Sequence, residues 1–234
     1  LFASLVIVVY LACALPVLPT SRLAWFCDDA AYAILAAAAA WILAPPRHRV
    51  MGPEGRRFWW LLSVNFMIWA LVDLIELADP SSKQWGPTGL VTDLLFIPSY
   101  MCLLWALEEQ PHHRAGWSSR RRLLGLERFA TMAFVLAIVG YFVLLPHLFR
   151  SPADPPLTHT FGCFAALDLL LAIRFLIRAI LLGKTRWGAV YTLLMLTPLM
   201  WAITDLATLD SLSRDQWLVE GPVWNLIWFG AFLP

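Results

Sequence analysis

The chain has 234 residues, 60% of them hydrophobic and 14% charged, with a mean hydropathy of +0.70, whereas a soluble domain carries about 25% charged residues. This composition excludes a soluble globular enzyme, a disordered regulator and a basic nucleic-acid binder, and a net charge of +1 supplies no long-range field that favours one kind of partner. Four cysteines without regular spacing exclude a disulfide scaffold or a zinc module. The expected class is an all-α polytopic membrane protein whose first partner is the lipid bilayer.

A hydrocarbon core about 30 Å thick requires roughly 20 apolar residues of helix. In chain order, apolar runs separated by polar punctuation predict eight spans, at residues 1–18, 30–44, 58–77, 90–107, 129–149, 158–180, 187–206 and 218–233. The first run lacks a basic n-region and an A-x-A-like site, so it reads as a span rather than a cleaved signal peptide. The chain opens on Leu1 and stops at Pro234 within apolar sequence, the pattern of a fragment of a longer protein.

Basic residues mark alternate loops. Arg47, Arg49, Arg56 and Arg57 lie between the second and third runs, and Arg114, Arg120, Arg121, Arg122 and Arg128 between the fourth and fifth. Arg178, Lys184 and Arg186 follow between the sixth and seventh. Twelve of the seventeen basic residues thus fall on one side, which the positive-inside rule assigns to the cytoplasm together with both termini. Twelve of the sixteen acids fall in the opposite loops or the adjoining halves of the spans. That rule takes little account of acids, so their placement is a separate signal of chemistry in the outer half.

The chain also repeats itself. Residues 69–73 read WALVD and residues 201–205 read WAITD, 132 positions apart. At the same offset Gln84-Trp85 matches Gln216-Trp217, and Asp93 falls on Asn225. Asp29 matches Asp168 at an offset of 139. The expected organisation is a first four-helix membrane repeat at 1–110, a basic cytoplasmic linker at 111–128 and a second repeat at 129–234. An even number of spans per unit gives both the same orientation, related by a pseudo-twofold axis along the membrane normal.

The candidate ligand-binding residues are Asp29, Asp73, Asp93, Asp168, Asp205 and Asn225, with Trp69 and Trp201. A charged residue at mid-helix depth costs roughly 2.5–3.5 kcal/mol on insertion scales, so such groups usually face protein or a wet cavity. Trp69 and Asp73, like Trp201 and Asp205, stand at i and i+4 and share a helix face. That pairing suits a cation or an amphipathic small molecule, and equally a structural hydrogen bond. The plainer reading of Asp29 and Asp93 is that they sit at the outer interface and end their helices in water. Interfacial anchoring is the default for much of the Trp content, thirteen residues in all.

Arg174 and Arg178 could snorkel to the cytoplasmic interface. Cys27 and Cys163 could approach each other if the halves are twofold related. The histidines show no metal-ligand spacing, and no cofactor motif, P-loop, nucleophile elbow or HExxH is present. Pro98 and Pro198 lie within spans but not at matching positions of the repeat, which weighs against paired broken helices of a transporter.

WALVDLIELADP followed by GLVTDLLFIPSYMCLLWAL, with WAITDLATLD and GPVWNLIWFGAFL in the second half, resembles the membrane sensor regions of bacterial signalling proteins. There a span ends in W-x-x-x-D, and the next opens with D-x-x-(Y/F)-x-x-x-Y. Such regions precede cytoplasmic GGDEF or EAL domains of cyclic di-GMP turnover, or histidine kinases. The second-half span departs from the pattern by opening on Asn225. The resemblance implies an input domain of the bacterial inner membrane that is not itself an enzyme. It also implies a small ligand of unknown identity, homodimerisation through the output domain, and no nucleic-acid partner. A small transporter and an accessory subunit of a larger membrane complex are the alternative classes.

Reporter fusions test the orientation. Alkaline phosphatase fused after Lys83 or Asp154 is expected to be active and green fluorescent protein dark, with the reverse after Gly116 or Lys184. An inverted pattern overturns the assignment.

Overall fold

The computed structural model describes residues 22–44, 53–79, 87–109, 118–145, 148 and 157–213. These are helical almost throughout, with no strand among them. In chain order the helices are α1 (Arg22–Leu43), α2 (Pro53–Ala78), α3 (Pro87–Glu109), α4 (Ser118–Val139), α5 (Leu157–Leu182) and α6 (Arg186–Ser213). A π-helical stretch, Gly140–Leu144, prolongs α4.

The six middle runs of the sequence reading each fall on a helix, while runs 1–18 and 218–233 lie outside the described residues. Among the described residues, three stretches are long and apolar enough to cross a membrane: Gly55–Ala78, Gly89–Glu109 and Arg186–Asp210. Asp29–Leu43 and Arg128–Phe142 are shorter apolar stretches, and α5 carries Asp168, Arg174 and Arg178 within it. α4 begins at Ser118, so the second part of the stretch expected as a linker, 111–128, is helical. Its Arg and Leu residues are good helix formers, and a helix need not stop where the apolar residues do.

Apolar residues surround α2 on all sides instead of forming one stripe, the pattern of a helix buried in protein or lipid over its whole circumference. Its outward side chains include Trp60, Met67, Leu71 and Leu74, and α5 exposes Ile173, Leu176, Ile177 and Ile180. Large apolar groups on this scale, on several helices at once, match a hydrocarbon solvent.

Sequence neighbours pack most extensively: α5 with α6, α1 with α2, and α2 with α3. α4 packs on α3 and α5. α2 and α6 meet through rings. Phe58 touches Trp187 and Tyr191, with centroids 5.4 and 6.0 Å apart, and further along Trp69 meets Trp201. The two helices therefore run in the same direction. The core around this seam contains Phe58, Leu62, Tyr100, Leu167, Leu171, Phe175, Tyr191 and Trp201.

The α5–α6 turn has a local explanation. Gly183 ends α5 in the left-handed region, with φ +54°, and its amide donates to the Ala179 carbonyl at 2.9 Å, the αL cap that glycine adopts without a Cβ penalty. Thr185 Oγ1 accepts from the Gly188 amide at 3.1 Å and caps α6. A Cβ on Gly188 would run into the Gly183 carbonyl oxygen. Gly188→Ala is thus expected to lower the thermal midpoint of the detergent-solubilised protein. Gly162→Ala, where a Cβ meets nothing within 4 Å, is expected to raise stability by about 1 kcal/mol through helix propensity. Equal effects of the two substitutions would contradict the close approach.

Candidate ligand-binding site in the acidic half of the bundle

Each W-x-x-x-D segment puts a ring and a carboxylate on one helix face, and the parallel course of α2 and α6 turns these faces toward each other. Trp69 and Trp201 stack, with ring centroids 4.4 Å apart and planes 21° apart. Asp73 and Asp205, one turn further along, are both buried. The stack alters the expected cup: each indole spends one face on the other, so those two faces are closed to a cation.

α3 supplies the next wall. Asp93, Phe96 and Tyr100 stand at i, i+3 and i+7 and share a face. Phe96 lies 4.7 Å from the Trp69 ring and 5.4 Å from Phe164 of α5. Tyr100 lies near-parallel to Phe164 at 6.0 Å, and its hydroxyl donates to the Asp168 carboxylate. Asp205 lies within electrostatic reach of both Asp168 and Tyr100. Asp93 and Asp168 both act on the Cys163 thiol, and Glu76 acts on Asp93.

The predicted residues therefore divide. Trp69, Trp201, Asp93, Asp168 and Asp205 join one cluster. Asp29 and Asp73 are buried on α1 and α2, but the contacts above do not include them. Asn225 lies outside the described residues. Asp29 is buried and lies inside α1, well before its end, which corrects the expectation that it ends its helix in water. Asp93 is only partly buried.

Sequence reasoning passed over Phe96, Tyr100, Cys163, Phe164 and Asn65 as site members. For Phe96 and Tyr100 the signal was the D-x-x-F-x-x-x-Y spacing itself. For Asn65 it was a lone amide in an apolar run, one turn before Trp69. Asn65 Oδ1 accepts from Ser99 Oγ at 2.6 Å, which ties α2 to α3 beside Tyr100. Three polar atoms of this region have no hydrogen-bond partner: Asn65 Nδ2, Trp69 Nε1 and Asp168 Oδ1. Native proteins leave few such groups, and each calls for an explanation.

A second polar cluster lies toward the opposite end. Arg174 of α5 forms an ion pair with the buried Glu108 of α3, and its other guanidinium nitrogen donates to Thr131 of α4 at 3.5 Å. Arg128 donates to the Glu108 carbonyl oxygen at 3.1 Å and lies 3.7 Å from Glu109. Arg174 thus turns inward, correcting its expected snorkelling course, because a buried carboxylate lies within its reach. Cys27 and Cys163 are not joined in a disulfide. No group of three His, Cys, Asp or Glu among the described residues could hold a metal ion. No family model, curated protein or solved structure matches the chain.

The Glu108–Arg174 pair joins α3 to α5, and removing one partner leaves a buried charge uncompensated. Arg174→Met is expected to destabilise the protein by roughly 3 kcal/mol, the lower end of the range for breaking buried pairs, because 23% of the Arg174 side chain is exposed. Adding Glu108→Gln is expected to restore much of that loss in a double-mutant cycle of thermal unfolding. Strictly additive losses would show that the pair does not couple the helices.

Proposed function

We propose that the chain is the membrane input domain of a bacterial signal-transduction protein. In this reading it spans the inner membrane eight times, as two four-helix halves with cytoplasmic termini. It senses an outer-face or intramembrane ligand and couples through its last helix to an output domain of the GGDEF, EAL or histidine-kinase kind, with homodimerisation through that domain. The observation that carries the reading is the Trp69–Trp201 stack. The two W-x-x-x-D segments by which the chain resembles such sensors meet at their equivalent tryptophans, with buried acids one turn away. Contact between equivalent residues is what an axis of twofold symmetry requires of groups lying on it.

A ligand in this layer can shift the helices only by binding one arrangement more tightly than another. The Trp seam offers such a variable, since it is held by side chains alone and has no connecting turn. Buried acids between helices also suit a small transporter, but α3 and α6 run unbroken through Pro98 and Pro198, which do not correspond in the repeat. The apolar exterior alone would serve an accessory subunit of a larger complex.

In the full-length protein, Asp73→Asn or Asp205→Asn is expected to change cytoplasmic output, read as cellular cyclic di-GMP or phosphotransfer, while membrane insertion is retained. Normal signalling by both variants removes these residues from the site. Substrate flux in proteoliposomes, with no output attached, would replace the sensor reading by the transporter one.

A further inference from the structure

The three unpartnered atoms belong to one contiguous cluster. Trp201 stacks on Trp69, Trp69 meets Phe96, Phe96 meets Phe164, and Phe164 lies along Tyr100, which donates to Asp168. Asn65 joins through Ser99, the neighbour of Tyr100. Asp168 is 1% exposed and Asn65 0% exposed, so bulk water does not reach either side chain. Asp168 Oδ1 is an acceptor without a donor, while Trp69 Nε1 and Asn65 Nδ2 are donors without an acceptor. Their side chains come from α2 and α5, with α3 forming the wall between.

We propose that this cluster binds a small organic ammonium ion that carries N–H donors at one end, an apolar body, and a hydrogen-bond acceptor at the other. The assignment names the ligand class for the site of the input-domain reading, and rests on that reading for its signalling role but not for binding itself. The ammonium group donates to Asp168 Oδ1, with Asp205 adding a second negative group within electrostatic reach. The body packs on Phe96, Phe164 and Tyr100, whose ring faces also favour a cation. The acceptor takes the Trp69 indole N–H or the Asn65 amide. A bare metal cation fits poorly, because it would satisfy the carboxylate and be repelled by both donors. A neutral apolar molecule would leave all three atoms unmet.

Tyramine and its alcohol counterpart tyrosol differ only at the terminal group and test the assignment by calorimetric titration. The full chain is placed in phosphatidylcholine nanodiscs, with empty nanodiscs correcting for partitioning. Tyramine is expected to bind about tenfold or more tightly than tyrosol, the advantage of a charge-assisted hydrogen bond over a neutral one. Asp168→Asn is expected to abolish that preference, and Trp69→Phe, which keeps a ring but removes the N–H, to weaken tyramine several-fold. Equal binding of the two compounds, no binding of either, or an unchanged preference in Asp168→Asn would overturn the proposal. If Asp168→Asn does not fold, the comparison on the unsubstituted chain decides alone. Tyramine binding without any effect of the Asp73 and Asp205 variants on output would sink the sensor role and leave the site standing. Altered output without tyramine binding would do the opposite.

Discussion

The seam between α2 and α6 is the constraint on which the bundle depends. Antiparallel neighbours such as α5 and α6 are joined by a turn of three residues, so the chain itself brings them together. α2 and α6 run in the same direction and are separated by three other helices, so only side chains hold them. Aromatic rings suit that task. They reach across a wider gap than aliphatic groups, and offset or tilted pairs add about 0.5–1.5 kcal/mol beyond their buried area. Phe58, Trp59, Trp69, Trp187, Tyr191 and Trp201 supply pairs at two levels along the seam. Loss of register at one level would disturb the other.

With the seam fixed, the polar residues have few places to go. α3 and α5 carry large apolar side chains on their outward faces, and their carboxylates Glu108 and Asp168 are buried in the bundle interior. In one half they find a phenol: Tyr100 reaches from α3 to Asp168 on α5. In the other half they find guanidinium groups: Glu108 on α3 meets Arg174 on α5. The same two helices are therefore tied twice, by a neutral donor at one level and a cation at the other. The ion pair is joined further to Thr131 and Arg128. Both layers keep buried polar atoms without a partner, Glu108 Oε2 and Arg128 Nε in one and Asp168 Oδ1 in the other.

Much of this was legible in the sequence. Apolar run length located the middle helices, because a bilayer imposes length directly on sequence. The recurrence of W-x-x-x-D singled out Trp69, Trp201, Asp73 and Asp205. It did not reveal that the two tryptophans touch, since spacing along the chain does not fix the distance between helices. Arg174 was misread for a related reason: a basic residue near a helix end snorkels unless a buried acid lies within reach, and Glu108 sits 66 positions away. Tyr100 was hidden because its hydroxyl has meaning only when α5 brings Asp168 to it. Asn65 was overlooked because one amide in an apolar run carries no periodic signal. The α4 start at Ser118 was missed because charge marks where a helix leaves the bilayer, not where it ends.

On the duplicated reading proposed above, the seam and the acid layer have followed different courses. Groups near an axis must match themselves, so change at one tryptophan is resisted by the other, and both halves keep W-x-x-x-D. Groups away from the axis carry no such constraint. At the same 132-residue offset Asp93 corresponds to Asn225 and Tyr100 to Phe232. The second set therefore lacks one carboxylate and the phenol that donates to Asp168 in the first. A frame that repeats its packing while differing in its polar groups has one charge-rich position rather than two. Occupancy there would act on one side of a seam shared by both halves. An asymmetric load on a shared contact between parallel helices is a physical means by which one small ligand could bias the arrangement of the whole bundle.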